Sequence, residues 1–201
     1  MAGRRLAPED RRTQLLDVAK AIIERDGIGG LTIDLVSVDA GVTAQLVHKY
    51  FGTRTSLLQA LYAREDDAYE HEIARRLAGA HGFEDVVRIF VTANADLLSP
   101  ATAIGQLRGL PELGPIRAER ERTSRASAQK VLVRAFRAEH PTDDRTTEFV
   151  LRLGSAASIE AATIAAHGGH HDRDDHIDRT VRFILAGIRA LLDERAHADQ
   201  T

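Results

Sequence analysis

Residues 39–51 read DAGVTAQLVHKYF, and this stretch decides how the N-terminal part of the chain folds. Gly41 permits the positive φ that a tight turn between two short helices requires. Thr43 can cap the helix after the turn, because its hydroxyl can accept a hydrogen bond from a backbone amide in the first helical turn. That helix ends at about Tyr50 and carries an unusual mixture of Gln, His and Lys. The stretch therefore predicts two short helices that meet at a sharp corner.

The segments before this corner complete a three-helix arrangement. A first helix begins near Pro8 and stops at Gly27. Its apolar stripe at helical spacing consists of Leu15, Leu16, Ala19, Ile22 and Ile23. Thr32 is expected to cap a short second helix, whose residues available for packing are Ile33, Leu35, Val36 and Val38. Two short helices after a longer one match the helix-turn-helix pattern. Within it, Val36, Val42 and Val47 fall at the internal contact positions, and Ser37 is small enough for the helices to approach closely.

Composition indicates an ordinary globular protein. The chain has 201 residues, of which 43% are hydrophobic and 28% charged, and its net charge of −3 does not by itself indicate a nucleic-acid partner. The absence of cysteine excludes disulfides and thiolate metal sites. No apolar run reaches the roughly 18 residues that span a bilayer, and the N-terminus lacks the apolar stretch of a signal peptide. We therefore expect a cytoplasmic protein with no membrane partner.

The remaining sequence predicts an all-α protein of about nine helices, because apolar residues recur at helical spacing and strand-like alternation is absent. Thr53 is expected to cap a long helix that reaches Leu77 or Ala78. Further helices are predicted over 83–98, 116–139, from about Pro141 to 166, and over 176–194. Prolines divide 99–115 into short pieces. We place a helix-turn-helix DNA-binding domain at 1–53 and a larger domain at 54–201.

Residues 11–64 resemble the TetR family of bacterial transcriptional regulators. The resemblance rests on Ala-Gly-Val-Thr at 40–43, the aromatic pair Tyr50-Phe51 and the basic Arg54 that opens the fourth helix. The chain departs from the family at Gln45, where a glycine is usual, and at His48, where a phosphate-contacting aromatic is usual. The resemblance implies that residues 54–201 bind a ligand and form a homodimer. It further implies a repressor that a small molecule releases from double-stranded operator DNA, with no cofactor.

Several residues are candidates for DNA contact, although each could also be an ordinary solvated side chain. Thr43 at a helix N-terminus can donate to a phosphate. Gln45 has the paired donor and acceptor that read adenine, and Ala44 could touch a thymine methyl. The candidates for backbone contact are His48, Lys49, Arg54 and Tyr50, with Arg4 and Arg5 as a possible N-terminal arm.

The family also implies a dimer interface and a ligand site in the larger domain. Two helices at 149–166 and near the C-terminus carry the predicted interface residues Leu153, Ala157, Glu160, Phe183, Ile184, Gly187, Ile188 and Leu191; the alternative is that they only complete the core of one protomer. The residues predicted to line a ligand site are Phe90, Asn94, Leu97, Leu98, Ile104, Leu107, Arg108 and Ile116. Most apolar residues chosen in this way are simply core residues.

The segment 167–176, HGGHHDRDDH, supports a rival hypothesis. Its candidate metal ligands are His167, His170, His171, Asp172, Asp174 and His176. They would make the protein a metal-responsive regulator or a metal-dependent hydrolase. Two glycines leave these side chains poorly positioned, so a solvated loop without metal is the preferred interpretation. Because no phosphate-binding loop or nucleophile elbow occurs elsewhere, we expect no enzymatic activity.

Overall fold

The computed structural model describes residues 6–124, 128–167 and 173–198, and over these ranges the chain is helical without strands. The ten α-helices are α1 (Pro8–Asp26), α2 (Ile33–Asp39), α3 (Ala44–Phe51), α4 (Arg54–Leu77), α5 (Phe83–Leu97), α6 (Ala103–Arg108), α7 (Gly114–Ser124), α8 (Ala128–Glu139), α9 (Asp144–His167) and α10 (Arg173–Ala198). Short 3₁₀ turns cover Ile28–Gly30 and Pro111–Leu113. The all-α prediction is confirmed. The helix predicted over 116–139 is described on both sides of residues 125–127, which lie outside the described ranges, as α7 and α8.

The helix ends follow the local chemistry that the sequence predicts. The hydroxyls of Thr32, Thr43 and Thr53 accept hydrogen bonds from backbone amides three residues later, at 3.1, 3.2 and 3.1 Å. Pro8 lies at the start of α1, and Gly27 ends that helix with φ of 77°. Each of these residues satisfies or avoids an orphan backbone group at a helix end, so the boundaries are fixed by short-range interactions.

The corner between α2 and α3 is held by backbone hydrogen bonds. The amide of Val42 donates to the carbonyl of Ser37 at 2.9 Å, and Gly41 takes the left-handed φ of 64°. The Ser37 hydroxyl donates back to the Asp34 carbonyl, and the side chain is buried. Val36 and Val47 are fully buried at the contact between the two helices. Val38 was expected to pack but is 73% exposed, because it lies on the outer side of α2.

The chain divides into two compact units whose boundaries differ from the predicted division at residue 53. The first contains the residues up to Ala68 together with Pro100–Arg120, and the second contains Tyr69–Ser99 together with the residues from Glu121 onward. The chain passes from the first unit to the second within α4. The N-terminal unit is therefore larger than three helices, because it also takes in α6 and most of α7.

Long-range hydrogen bonds attach α6 to the end of α1 in the first unit. The Gln106 side chain accepts from the Ile28 amide at 2.9 Å and donates to the Ile23 carbonyl at 3.1 Å. The Glu24 carboxylate accepts from the Ala103 amide at the start of α6. These donors and acceptors are about 80 residues apart in the sequence, so no local sequence pattern predicts that they pair.

The second unit is built from the end of α4 with α5, α8, α9 and α10. Phe83 and Phe136 pack edge to face, with ring centroids 5.2 Å apart, at the contact between α5 and α8. Helix α9 passes close to α10 at Gly154, where an added Cβ would lie 3.3 Å from the Ile184 side chain. None of the helices in the described ranges is both long enough and apolar enough to cross a membrane.

Candidate functional site

Helix α3 presents a polar face and buries an apolar one. Gln45, His48 and Lys49 are exposed on the same side of the helix, because they are three and four residues apart. Val47 and Phe51 are buried on the other side. The helix contains no acidic residue. Its outer surface therefore offers hydrogen-bond donors, one permanent cation and no negative charge of its own.

The other predicted contacts around α3 occupy different positions. Thr43 is exposed and serves as the N-cap, so its oxygen is engaged while its hydroxyl hydrogen can still be donated. Ala44 and Tyr50 are half-buried. The Arg12 guanidinium lies 5.5 Å from the centre of the Phe51 ring and joins α1 to the end of α3. Arg4 and Arg5 lie outside the described residues.

The ring of His48 is anchored at the C-terminal end of α3. Its Nδ1 lies 2.7 Å from the Gly52 carbonyl oxygen. Since a carbonyl can only accept, Nδ1 must carry a hydrogen, and in the neutral ring Nε2 is then an acceptor. A neutral His48 cannot donate from Nε2 to a phosphate, whereas the doubly protonated ring can. Any contact of Nε2 with phosphate is therefore coupled to proton uptake.

Arg54 has a structural role that the sequence does not reveal. Its Nε donates to the Leu31 carbonyl at 2.7 Å and Nη2 donates to the Ile28 carbonyl at 2.8 Å. Nη1 lies 3.5 Å from a carboxylate oxygen of Glu112. The guanidinium thus ties the start of α4 to the segment that leads into α2. The side chain is still 39% exposed, so a phosphate contact remains a prediction beside this observed role.

Helices α9 and α10 carry exposed apolar side chains on one side each. On α9 the predicted Leu153 is exposed, and so are Phe149 and Ile164, which the sequence analysis did not select; the three share a helix face with Ala157 and Glu160. On α10 Phe183 is 72% exposed, Gly187 is exposed and Leu191 is half-buried. The predicted interface residues Ile184 and Ile188 are instead buried in the core of their own unit.

A small cavity lies inside the second unit between α5, α8, α9 and α10. Its volume is about 30 Å³, or about 350 Å³ when all the empty space out to solvent is included. The smaller volume accommodates a few water molecules at most. The lining residues are Phe83, Val87, Phe90, Val91, Asn94, Leu132, Val150, Leu151, Gly154, Ser155, Ser158, Ile184 and Ile188. Every polar group among them is uncharged.

The residues predicted to line a ligand site belong to two different units, and only some of them line the cavity. Phe90 and Asn94 line the cavity, while Leu97 and Leu98 belong to the same unit but not to its wall. Ile104, Leu107, Arg108 and Ile116 belong to the other unit, where Ile104 and Leu107 are buried. The walls contributed by α8, α9 and α10 are not predicted by the sequence, because inward-facing core residues and cavity-lining residues have the same pattern.

Known proteins are similar to this chain in sequence and in fold. Residues 15–61 match the family model described as bacterial regulatory proteins, tetR family. This N-terminal segment is similar to the TetR family. Over 52 residues it is 36% identical to the HTH-type transcriptional regulator BetI of Vibrio vulnificus (strain YJ016), a match that covers 26% of this chain and 26% of BetI. The chain thus spans about a quarter of the length of that TetR-family relative.

Two solved structures share the fold. One is a TetR-like transcriptional regulator from Rhodococcus sp. RHA1, with a TM-score of 0.68 and 16% identity over 92% of this chain and 99% of that one. The other is the TetR-like regulator LfrR from Mycobacterium smegmatis in complex with proflavine, with a TM-score of 0.65 and 22% identity over 90% and 98%. At these identities the likeness extends the TetR-family fold to the C-terminal helices.

The metal hypothesis receives no support. Residues 168–172 lie outside the described part of the chain, as does the side chain of His167. In the part that is described, no group of three or more His, Cys, Asp or Glu side chains could hold a metal ion. The His176 ring contacts the Ala161 carbonyl through Nε2 at 2.8 Å. The TetR-family relatives are named as transcriptional regulators, which favours neither the metal-responsive reading nor the hydrolase.

A buried ionic group on α4 was also missed. The Asp66 carboxylate accepts from Arg120 Nε at 2.8 Å and lies 3.3 Å from the Tyr62 hydroxyl. Burial, followed by the negative charge of Asp66, raises the pKa of Tyr62 to about 12. Glu65, also buried, pairs with Lys20 at 2.7 Å. The two carboxylates link α4 to α7 and α1, which sequence spacing does not indicate.

Proposed function

We propose that this protein is a dimeric DNA-binding transcriptional regulator that uses α3 to read the major groove. The observation that carries the proposal is the exposed face of Gln45, His48 and Lys49 on a short helix that Val47 and Phe51 fix from behind. A glutamine amide can pair with both hydrogen-bonding groups of adenine. Lysine and a protonated histidine fit the adjacent phosphates. The match of residues 15–61 to the TetR family supports the same assignment.

The surroundings of α3 fit this role. The N-terminal amides of α3 and the hydroxyl of Thr43 lie at the positive end of the helix dipole, where a phosphate is favoured. Arg54 holds the segment before α2, so that it supports the geometry of the reading helix as well as offering charge to the DNA backbone. Lys49 can neutralise a phosphate. Such a contact releases counterions from the DNA, so the affinity that it contributes falls as the salt concentration rises.

The exposed apolar side chains of α9 and α10 support a homodimer. A protomer that leaves Phe149, Leu153 and Phe183 in water gains by burying them against a second copy. A two-fold dimer would present two α3 helices to half-sites about 34–36 Å apart, or one turn of DNA. We further propose that a small ligand in the second unit favours a conformer with a different spacing. Linkage then requires operator DNA to weaken ligand binding by the same factor.

The test is selection from a library of random DNA duplexes by the purified full-length protein, followed by sequencing and fluorescence anisotropy of the enriched site. We expect an inverted repeat bound by a dimer, with an affinity that falls steeply as salt rises. Retention of no duplex above background, together with a monomer in analytical ultracentrifugation, would overturn the proposal. A site without two-fold symmetry would contradict only the dimeric mode of binding.

A further inference from the structure

A buried hydrogen-bonded chain of three side chains ends at the cavity of the second unit. The Tyr69 hydroxyl donates to Asn94 Oδ1 at 2.5 Å, and Asn94 Nδ2 donates to Ser158 Oγ at 2.7 Å. Asn94 is 2% exposed and Ser158 3% exposed, and both line the cavity. The chain crosses from the end of α4 through α5 to α9. It therefore fixes the rotamers of two polar groups inside a mainly apolar wall.

The direction of these hydrogen bonds determines what Ser158 can offer. Because its oxygen already accepts from Asn94, its own hydroxyl hydrogen must be donated elsewhere. Among the described residues, the hydrogen bond of Ser158 that is observed is the one it accepts from Asn94. Burying a donor without a partner costs free energy, so such groups in proteins are normally satisfied by water or by a ligand. The Ser158 hydroxyl is therefore available as a hydrogen-bond donor at the cavity.

The rest of the wall restricts the charge of any occupant. Nine of its members are aliphatic or phenylalanine side chains, and the remaining four are Gly154, Asn94, Ser155 and Ser158. An ion in this space would lose its hydration without gaining a countercharge, which costs several kcal/mol. Neither a carboxylate nor a quaternary or protonated amine fits that environment. A largely apolar, uncharged molecule does.

From these observations we propose that the cavity is the effector site and that it selects a neutral, mainly apolar small molecule bearing one hydrogen-bond acceptor, such as a ketone or ether oxygen, which Ser158 recognises. The inference rests on the proposed function, since it names the ligand class of that regulator. The cavity has room for a few water molecules at most, so an effector must widen it. Phe90 is half-buried at the wall and is the side chain best placed to move.

The experiment uses four probes of similar size: acetophenone, ethylbenzene, benzoate and phenyltrimethylammonium. Binding to the full-length protein is followed by two-dimensional nitrogen-15 NMR titration. We expect acetophenone to bind several-fold to about tenfold more tightly than ethylbenzene, because it adds one hydrogen bond. The two ions should bind at least about a hundredfold more weakly than acetophenone. Equal affinities for acetophenone and ethylbenzene, preferential binding of either ion, or no shift of the cavity residues with any probe would overturn the proposal.

Matched variants locate the donor. Ser158→Ala should reduce the affinity for acetophenone to that for ethylbenzene, while Ser155→Ala, on the same wall but without a bond to Asn94, should preserve the difference. The reverse pattern would overturn the assignment to Ser158. The wild-type comparison requires no substitution, so the proposal remains testable even if Ser158→Ala does not fold. Ser155→Leu, which fills the cavity, should abolish binding of both neutral probes.

DNA binding by the same preparation separates this inference from the proposed function. A protein that binds its selected duplex but none of the neutral probes contradicts only the assigned ligand class. A protein that binds acetophenone through Ser158 but retains no duplex contradicts the regulator and leaves the site intact.

Discussion

Helix α3 and the α9–α10 pair expose opposite kinds of surface. On α3 the exposed side chains are Gln45, His48 and Lys49, and the apolar ones are turned inward. On α9 and α10 Phe149 and Phe183 are exposed although the apolar residues that follow them, Val150 and Ile184, are buried. A polar surface without acidic side chains can bind a polyanion favourably, whereas an apolar surface lowers its free energy when another apolar surface covers it. The difference teaches that, under the proposed function, the two surfaces suit partners of different kinds, which are distinguished by the free energy of desolvation.

Placing a charge on the apolar surface should have the largest effect. Phe183→Glu would bury a carboxylate twice in a two-fold interface, so we expect a monomer at micromolar concentration and a loss of affinity for the palindromic site of at least about a hundredfold. Sedimentation equilibrium and anisotropy measure both. Arg189→Glu, on an exposed position of another face of α10, is the control and should remain dimeric. If the Phe183→Glu protein remained fully dimeric, this face of α10 would not be part of the dimer interface.

The reading face of α3 can be tested through Gln45. Gln45→Ala should cost about 1–3 kcal/mol for each half-site and relax the choice at one base pair, because a bidentate contact to adenine is lost. Gln59→Ala, the same change in α4 of the same unit, serves as the control. Selection from a random library before and after the substitution reports the preference. An unchanged preference would show that α3 positions the protein without Gln45 reading a base.

Substitution of Arg54 tests whether one side chain both stabilises the folded protein and contacts the DNA backbone. Arg54→Ala removes two charge-assisted hydrogen bonds to carbonyls, so the free energy of unfolding should fall by about 2 kcal/mol. Affinity should fall for all sequences, with a shallower dependence on salt. Thermal unfolding and anisotropy separate the two roles. Lower stability with an unchanged salt slope would leave Arg54 only its structural role, and Arg25→Ala provides a control for removing an exposed arginine.

His48 should give the smallest effect, a change of a few fold. Since Nδ1 already donates to the Gly52 carbonyl, only the protonated ring can donate from Nε2 to a phosphate. His48→Phe removes this donor, so the affinity for the selected duplex should fall a few fold at fixed ionic strength, while His71→Phe in the other unit should leave it unchanged. Fluorescence anisotropy measures both. An unchanged affinity of His48→Phe would mean that this ring makes no contact with phosphate.

Local chemistry explains why the N-terminal half could be read from the sequence. Five apolar residues of α1, from Leu15 to Ile23, are buried as their spacing predicts. Thr32, Thr43 and Thr53 cap helices because their partners lie three residues away. Gly41 adopts positive φ because the corner requires it. Each of these features depends on interactions within one or two helical turns, and such interactions are written directly in the order of residues.

Tertiary structure decided the features that depend on distant groups. Gln106 joins α6 to the turn after α1 across 78 residues, and Arg54 donates to carbonyls 23 and 26 residues earlier in the chain. Ile184 is buried beside exposed Phe183, although both are apolar, because only packing distinguishes the inner side of α10 from the outer. The sequence by itself determined the helices, the corner and the family resemblance. Which apolar residues form a core, a cavity or an exposed face was decided by where the helices meet, since hydrophobicity carries no direction.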